Sequence, residues 1–146
     1  MNYVAGFMFS EDMQKVALIR KLKPDWQKGL LNGIGGKVEP GESVFEAVIR
    51  EFKEETSLAT MGAEWEYFAH LIGKDFVGEP FDVSFFTSKG DLSRLRSVTE
   101  EKIEILGINS ITFLRKDMVE NIPWLIGLAI DFLEDGRPIF VEAKYN

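Results

Sequence analysis

Two kinds of hydrophobic pattern run along this chain: short, nearly unbroken apolar stretches, and longer segments in which apolar residues return every three to four positions. Residues 3–9 (YVAGFMF) and 15–22 (KVALIRKL) belong to the first kind, the second rich in Val, Leu and Ile, and predict two strands. The polar connection KPDWQKGLLN then leads to Gly33, Gly35 and Gly36, read as a turn that exploits positive φ and close backbone approach. After Gly41, the apolar residues Phe45, Val48, Ile49 and Phe52 stand at helical spacing and predict an amphipathic helix with a buried stripe. Further strands are expected over 64–72, 81–87, 102–106 and 138–144. A second helix is expected over 122–133, stopped by EDGRP. Strands mixed with two helices indicate an α/β or α+β sandwich.

Composition narrows the class. No repeat, linker or low-complexity segment divides the 146 residues, so one domain spanning 1–146 is expected, long enough to bury a core. No apolar run reaches the roughly 18 residues of a membrane span. The N-terminal MNYVAGFMFSEDMQK lacks the basic region and cleavage site of a secretory signal, and with no export signal a cytoplasmic location is expected. The chain has no cysteine, which excludes disulfides, thiol catalysis and thiolate zinc sites. Net charge is −7 and the pI about 4.8, which disfavours nucleic-acid polymers as partners. A small anionic substrate remains admissible if a cation mediates.

The first helix concentrates the candidate chemistry. Ser43 and Glu46 form an S-x-x-E capping box at its start. Glu51, Glu54 and Glu55 then fall at i, i+3 and i+4, neighbours on a face expected to differ from the buried one, with Arg50 able to reach Glu54. Each like-charge pair costs a few tenths of a kcal/mol, and the cluster lies at the helix end where the macrodipole disfavours anions. A solvated acidic face is the plain reading. The alternative is a site for a hard cation such as Mg²⁺, which takes oxygen ligands. In that reading the close approach at the glycines lets a backbone carbonyl join the metal, while Lys37 reaches a phosphate.

These residues resemble the Nudix box, G-x5-E-x7-R-E-U-x-E-E-x-G-U with U apolar. Gly36, Glu42, Arg50, Glu51, Phe52, Glu54, Glu55 and Leu58 fall on the pattern. Ser57 stands where the family usually has glycine, and the bulky Phe52 where an aliphatic residue is usual. Six fixed glycine and charged positions match by chance at below about 10⁻⁷ per start, given frequencies of roughly 6–7% each. The resemblance implies an α/β/α sandwich around a mixed β-sheet, and Mg²⁺-dependent hydrolysis (Mn²⁺ a possible substitute) of a nucleoside diphosphate linked to another moiety. It implies that Glu51, Glu54, Glu55 and the Gly35 carbonyl are metal ligands, that Arg50 orients Glu51, and that Glu42 is a structural support. Glu101, in SVTEEKIEIL, is the choice for a further ligand or water-activating base, against the alternative of an exposed loop glutamate.

Outside the box, NGIGGKVEPGE, FVGEPFDVSFF (76–86) and KDMVENIPWLIGLAI (116–130) resemble MutT-type oxidised-purine nucleoside triphosphatases. By that resemblance Asn32 binds the base edge and Trp124 lines or stacks against it. Around Met118 the chain departs from the pattern, and Glu120 and Asn121 replace a pair of aspartates. Asn32 can equally hold the turn. Trp124 can anchor the second helix beside Leu125, Leu128, Ala129 and Phe132, Trp26 can shield a pocket or pack on the surface, and His70 reads as structural. The expected function is cleavage of a (deoxy)nucleoside triphosphate, such as 8-oxo-dGTP, to the monophosphate and pyrophosphate. The alternatives are an ADP-ribose, nucleoside diphosphate-sugar or dinucleotide hydrolase, or a non-catalytic nucleotide sensor. The expected partner is a small nucleotide rather than a nucleic-acid polymer or membrane, with a homodimer as a possible assembly.

Overall fold

A computed structural model describes residues 1–74, 77–110, 115–135 and 141–144. One eight-stranded mixed sheet carries the chain: β1 (Asn2–Ser10), β2 (Lys15–Arg20), β3 (Leu31–Asn32), β4 (Ile34–Lys37), β5 (Glu66–Lys74), β6 (Pro80–Gly90), β7 (Lys102–Gly107) and β8 (Val141–Lys144). The strand order is β3-β2-β1-β6-β5-β8, with β4 also on β1 and β7 also on β2. β1 runs parallel to β6 and β5 parallel to β8, and the other pairs are antiparallel. Helices α1 (Val44–Thr56) and α2 (Ile122–Asp135) cover the two faces. The architecture is the expected α/β/α sandwich.

Burial on both faces explains the unbroken apolar stretches. On β1, Ala5, Phe7 and Phe9 enter the core beneath α2 with Leu18, Phe68, Phe85, Ile122 and Leu125. Val4 and Met8 point the other way, to Ile34, Phe86 and the α1 residues Ala47, Val48 and Phe52. The two-residue period of a strand thus feeds two cores. Full burial of a side chain such as Phe52 stabilises by roughly 1.5–3 kcal/mol. His70, on β5, lies 3.4 Å from Asp82 on β6 and 3.7 Å from Glu142 on β8, which agrees with a structural role.

Three expectations are corrected. Gly33, Gly35 and Gly36 are not a turn of positive φ: Gly35 and Gly36 lie within β4, paired with Ala5 and Val4, and positive φ occurs at Gly29, Gly41 and Gly78 instead. Glycine is depleted from strands in general, so propensity concealed this one; tight contact with neighbouring elements overrides it. The buried stripe of α1 is Ala47, Val48, Phe52 and Thr56, whereas Phe45 is 40% exposed with its ring edge-on to Phe86. The strand expected over 64–72 begins at Glu66, after a 3-10 turn at Gly62–Glu64. The start expected for the last strand, 138–140, lies outside the described residues.

The ends of α1 follow local chemistry. Ser43 Oγ accepts from the Glu46 amide at 3.1 Å, and the Glu46 carboxylate accepts from the Ser43 amide at 2.8 Å. At the other end Ser57 takes the left-handed conformation, φ 65°, while its amide donates to the Lys53 carbonyl at 2.8 Å. A residue with a Cβ is strained there by roughly 1–2 kcal/mol, which glycine avoids. Ser57→Gly is therefore expected to raise stability by about 1 kcal/mol net of its greater unfolded-state entropy, read as a rise of a few degrees in Tm. An unchanged or lower Tm would contradict this account of the helix end.

Candidate active site

The helix stripe that packs against the sheet also decides which carboxylates are half-buried. Glu51 follows Ala47 by one turn, and Glu55 follows Glu51 by another, so both border the buried face rather than lying on a separate one. Glu54 projects outward, its side chain 58% exposed. The strip of β4 beneath them explains the glycines. A Cβ at Gly36 would stand 2.5–2.6 Å from the Glu51 carboxyl group, and one at Gly35 would collide with the Val4 carbonyl at 1.9 Å. Neither position has room for a side chain.

Arg50 organises the cluster. Its guanidinium donates to both Glu42 oxygens at 2.7 and 2.9 Å, to Glu51 at 2.8 Å, to Glu54 at 3.2 Å, and to the Lys37 carbonyl at 2.9 Å. These bonds hold its pKa well above the ordinary value, Glu42 contributing most. The paired guanidinium in turn keeps the Glu42 carboxyl below its usual range. Glu51 moves the other way. Burial raises it, and repulsion from Glu54 and Glu42 adds to the rise, outweighing Arg50. Burial likewise raises Glu55, with repulsion from Glu101 and Glu51, against the Thr99 hydroxyl that donates to it at 3.0 Å.

Glu101 comes from the loop before β7. Its carboxylate accepts from the Leu22 amide at 2.6 Å, the Lys23 amide at 3.3 Å and Lys21 Nζ at 2.9 Å. Burial pushes this carboxyl up, but the amides and the ammonium outweigh it and leave it below its usual range. The structure thus brings Glu101 into the field of Glu55, while directing its oxygens toward the end of β2. Among the described residues no three His, Asp or Glu side chains converge as a ready metal cage, because Glu54 is turned to Arg50 and Glu101 to Lys21. Gly35 lies on β4 next to Gly36, the residue that faces Glu51, and Lys37 ends that strand, exposed.

The residues read as base-binding lie on β3 and in the first turn of α2. Asn32 donates to Gln27 Oε1 at 2.9 Å and accepts from the Gly33 amide at 2.7 Å, so it holds the connection. Trp124 packs partly against the α2 core and also lines a cleft of about 320 Å³, with Met118, Val119, Glu120 and Pro123. Packing against the core and lining a cleft are therefore compatible at Trp124. The near wall is built by hydrogen bonds of Leu31 to Asp117 (2.7 Å) and Val119 to Leu31 (2.9 Å). Arg20 pins Asp117 at 3.1 Å and chelates Glu104 at 2.6 and 2.7 Å. Arg115 also donates to Asp117, and together the cations lower Asp117 to about 2. Asn121 Oδ1, just before α2, is buried without a hydrogen-bond partner among the described residues. Trp26, in the 3-10 turn Asp25–Gln27, is 53% exposed.

Sequence reasoning passed over Lys21, Thr99 and the Arg20–Asp117 pairing. SVTEEK offered a hydroxyl two residues before Glu101, but only the packing of the loop under α1 shows which carboxylate it meets.

A mixed-sheet α/β/α sandwich with a half-buried, arginine-clamped carboxylate cluster on its first helix is the class these features define. Residues 2–125 match the family model described as NUDIX domain. The chain therefore belongs to the Nudix hydrolase family. Among solved structures it is similar to the MutT protein of Bacillus halodurans: TM-score 0.71, 21% identity, covering 99% of this chain and 90% of that one. It is similar also to the NUDIX domain of Shewanella oneidensis NrtR in complex with ADP ribose, with TM-score 0.71 and 19% identity, covering 91% and 88%. NrtR of the same organism in complex with a 27mer DNA gives TM-score 0.74 at 19% identity, but this chain spans 62% of that one. No curated protein matches the chain. Among the described residues no helix is long and apolar enough to cross a membrane.

The fit at Gly36 and the charge on Glu55 are separately testable. Gly36→Ala is expected to fold, since the clash falls on a side chain, while displacement of Glu51 lowers turnover at least tenfold; wild-type turnover would refute the cradle. Glu51 and Glu55 bind a proton more tightly folded than unfolded, so in EDTA their contribution to stability falls as pH rises above the ordinary value of 4.5. Glu55→Gln should flatten that fall and raise Tm at neutral pH, with turnover lower by orders of magnitude. A variant that instead unfolds more easily while keeping its activity per folded molecule would exclude a site role for Glu55.

Proposed function

We propose that the protein is a Mg²⁺-dependent pyrophosphohydrolase that cleaves a (deoxy)nucleoside triphosphate to the monophosphate and pyrophosphate. The observation that carries the reading is that Glu51 and Glu55 are half-buried and each raised by burial and by repulsion from neighbouring carboxylates, with Gly36 leaving space for the Glu51 carboxylate. The candidate donors Glu51, Glu54, Glu55, Glu101 and the Gly35 carbonyl are all hard oxygens, which fits Mg²⁺, with Mn²⁺ as a substitute. When bound, such an ion neutralises phosphate charge and makes water a better nucleophile near neutral pH.

The chain's own groups divide the remaining work. Arg50 holds the orientation of Glu51 through a guanidinium already braced on Glu42 and the Lys37 carbonyl. Glu101, kept ionised by Lys21 and the Leu22 amide, is the group proposed to accept the proton of the attacking water. Lys37 offers a cation to a phosphate from the exposed end of β4. The cleft lined by Trp124 takes the base, and Asn32, next to Leu31 whose backbone pairs with Val119, offers polar recognition.

A second reading is supported by the ADP ribose complex of the similar NrtR domain: hydrolysis, or binding without hydrolysis, of ADP-ribose or a dinucleotide. The complete set of Arg50, Glu51, Glu54 and Glu55 favours hydrolysis over sensing, since a sensor has no need of the repulsion it imposes.

The test is a panel of ordinary and oxidised dNTPs, ADP-ribose and a diadenosine polyphosphate, incubated with Mg²⁺ and resolved by chromatography. One triphosphate is expected to be strongly preferred, with monophosphate and pyrophosphate as products. Trp124→Ala and Asn32→Ala should change the preference among bases more than the overall rate. Cleavage of ADP-ribose or dinucleotide alone would transfer the proposal to the second reading; tight binding without cleavage would leave a sensor.

A further inference from the structure

The Glu55 carboxylate has one hydrogen-bond donor among the described residues, the hydroxyl of Thr99 at 3.0 Å. The same Oγ1 lies 3.1 Å from the backbone carbonyl of Glu101. A hydroxyl carries a single proton and both neighbours only accept, so Thr99 shares that proton between a helix carboxylate and its own loop. The loop is moored elsewhere by the Leu22 and Lys23 amides on Glu101, and by Lys21. Thr99 therefore joins the Glu55 carboxylate to the loop that carries Glu101 through a short path: Glu55 to hydroxyl, hydroxyl to the Glu101 carbonyl.

We propose that Thr99 is a positioning residue for the divalent cation, its hydroxyl fixing the Glu55 carboxylate in a binding orientation against the Glu101 loop; the inference rests on the metal reading above. A glutamate side chain has three rotatable bonds, and a free carboxylate flanked by Glu51 and Glu101 would swing away from both. The Thr99 proton opposes that swing at the cost of no additional charge. Hydrogen bonds to ligating groups of this kind typically alter metal affinity 10- to 100-fold when removed.

Positioning and folding are separable here, because the loop keeps other attachments when the hydroxyl is lost. The Arg96 amide donates to the Thr56 carbonyl at 3.0 Å, and the Ile103 amide to Ser97 Oγ at 2.9 Å. Valine has the shape of threonine without the hydroxyl, while serine keeps the hydroxyl without the methyl.

Thr99→Val and Thr99→Ser would be titrated with Mn²⁺ alone, following the free ion by electron paramagnetic resonance, with Tm in EDTA measured in parallel. The valine variant is expected to bind Mn²⁺ at least about tenfold more weakly and the serine variant within about twofold of wild type, both with Tm within a few degrees. Wild-type affinity in the valine variant would overturn the role of Thr99 and leave the metal reading intact. Equal weakening in both variants, or a fall in Tm without loss of affinity, would assign Thr99 to packing instead. Failure of the wild-type protein to bind Mn²⁺ would overturn both.

Discussion

One guanidinium holds the candidate site together. Arg50 sits on α1, yet its donors reach the loop carboxylate Glu42, its helical neighbours Glu51 and Glu54, and the carbonyl that ends β4. Five hydrogen-bond donors in a planar fork suit this task, and a lysine could neither span those acceptors nor hold them in one plane. The position of Glu51 over Gly36 follows from that clamp together with the packing of α1 on β4. Without the clamp, a cluster of like charges on a helix end would splay toward water.

The clamp does not neutralise the cluster. Glu42 and Glu51 take most of the guanidinium, whereas among the described residues the one hydrogen-bond donor to Glu55 is a neutral hydroxyl, and Glu55 stands in the field of Glu51 and Glu101 with Lys21 opposing them. Burial then works against ionisation of both Glu51 and Glu55. The opposite shift at Glu101, whose oxygens face backbone amides and an ammonium, leaves the site with carboxyl groups of unlike proton affinity.

The sheet relates this cluster to the cleft by the route of β1 and β2. The outer edge of β1 is shared, β4 along Tyr3–Gly6 and β2 at Met8–Phe9, so the strip carrying Gly35 and Gly36 and the strand leading to Glu101 and Asp117 stay adjacent. β2 then contributes Arg20, which ties the cleft wall to β7 through Asp117 and Glu104. A ligand held by phosphate at one end and by a base at the other would therefore rest on elements joined through the same two strands.

Much was readable in the chain before folding. The strands with continuous apolar character, the capping box at Ser43, the helix carrying Arg50 and its carboxylates, and the family they mark are local patterns, set by periodicity and spacing that survive in any context. Local patterns failed where propensity and packing disagree. The cluster Gly33, Gly35, Gly36 looks like a turn, yet Ile34–Lys37 pairs with β1 as a strand, and its glycines are there because the Val4 backbone and the Glu51 carboxylate leave no room for a side chain at Gly35 and Gly36. Phe45 looks like core and is exposed, because the sheet meets the helix along Ala47, Val48 and Phe52. Likewise, no spacing rule joins Thr99 to Glu55, 44 residues away, or Arg20 to Asp117, 97 residues away. Which acidic groups exist, and on which helix, is written in the order of residues. Which of them are desolvated, clamped or braced depends on distant strands and loops arriving beside them, because burial and hydrogen bonding act through space rather than along the chain.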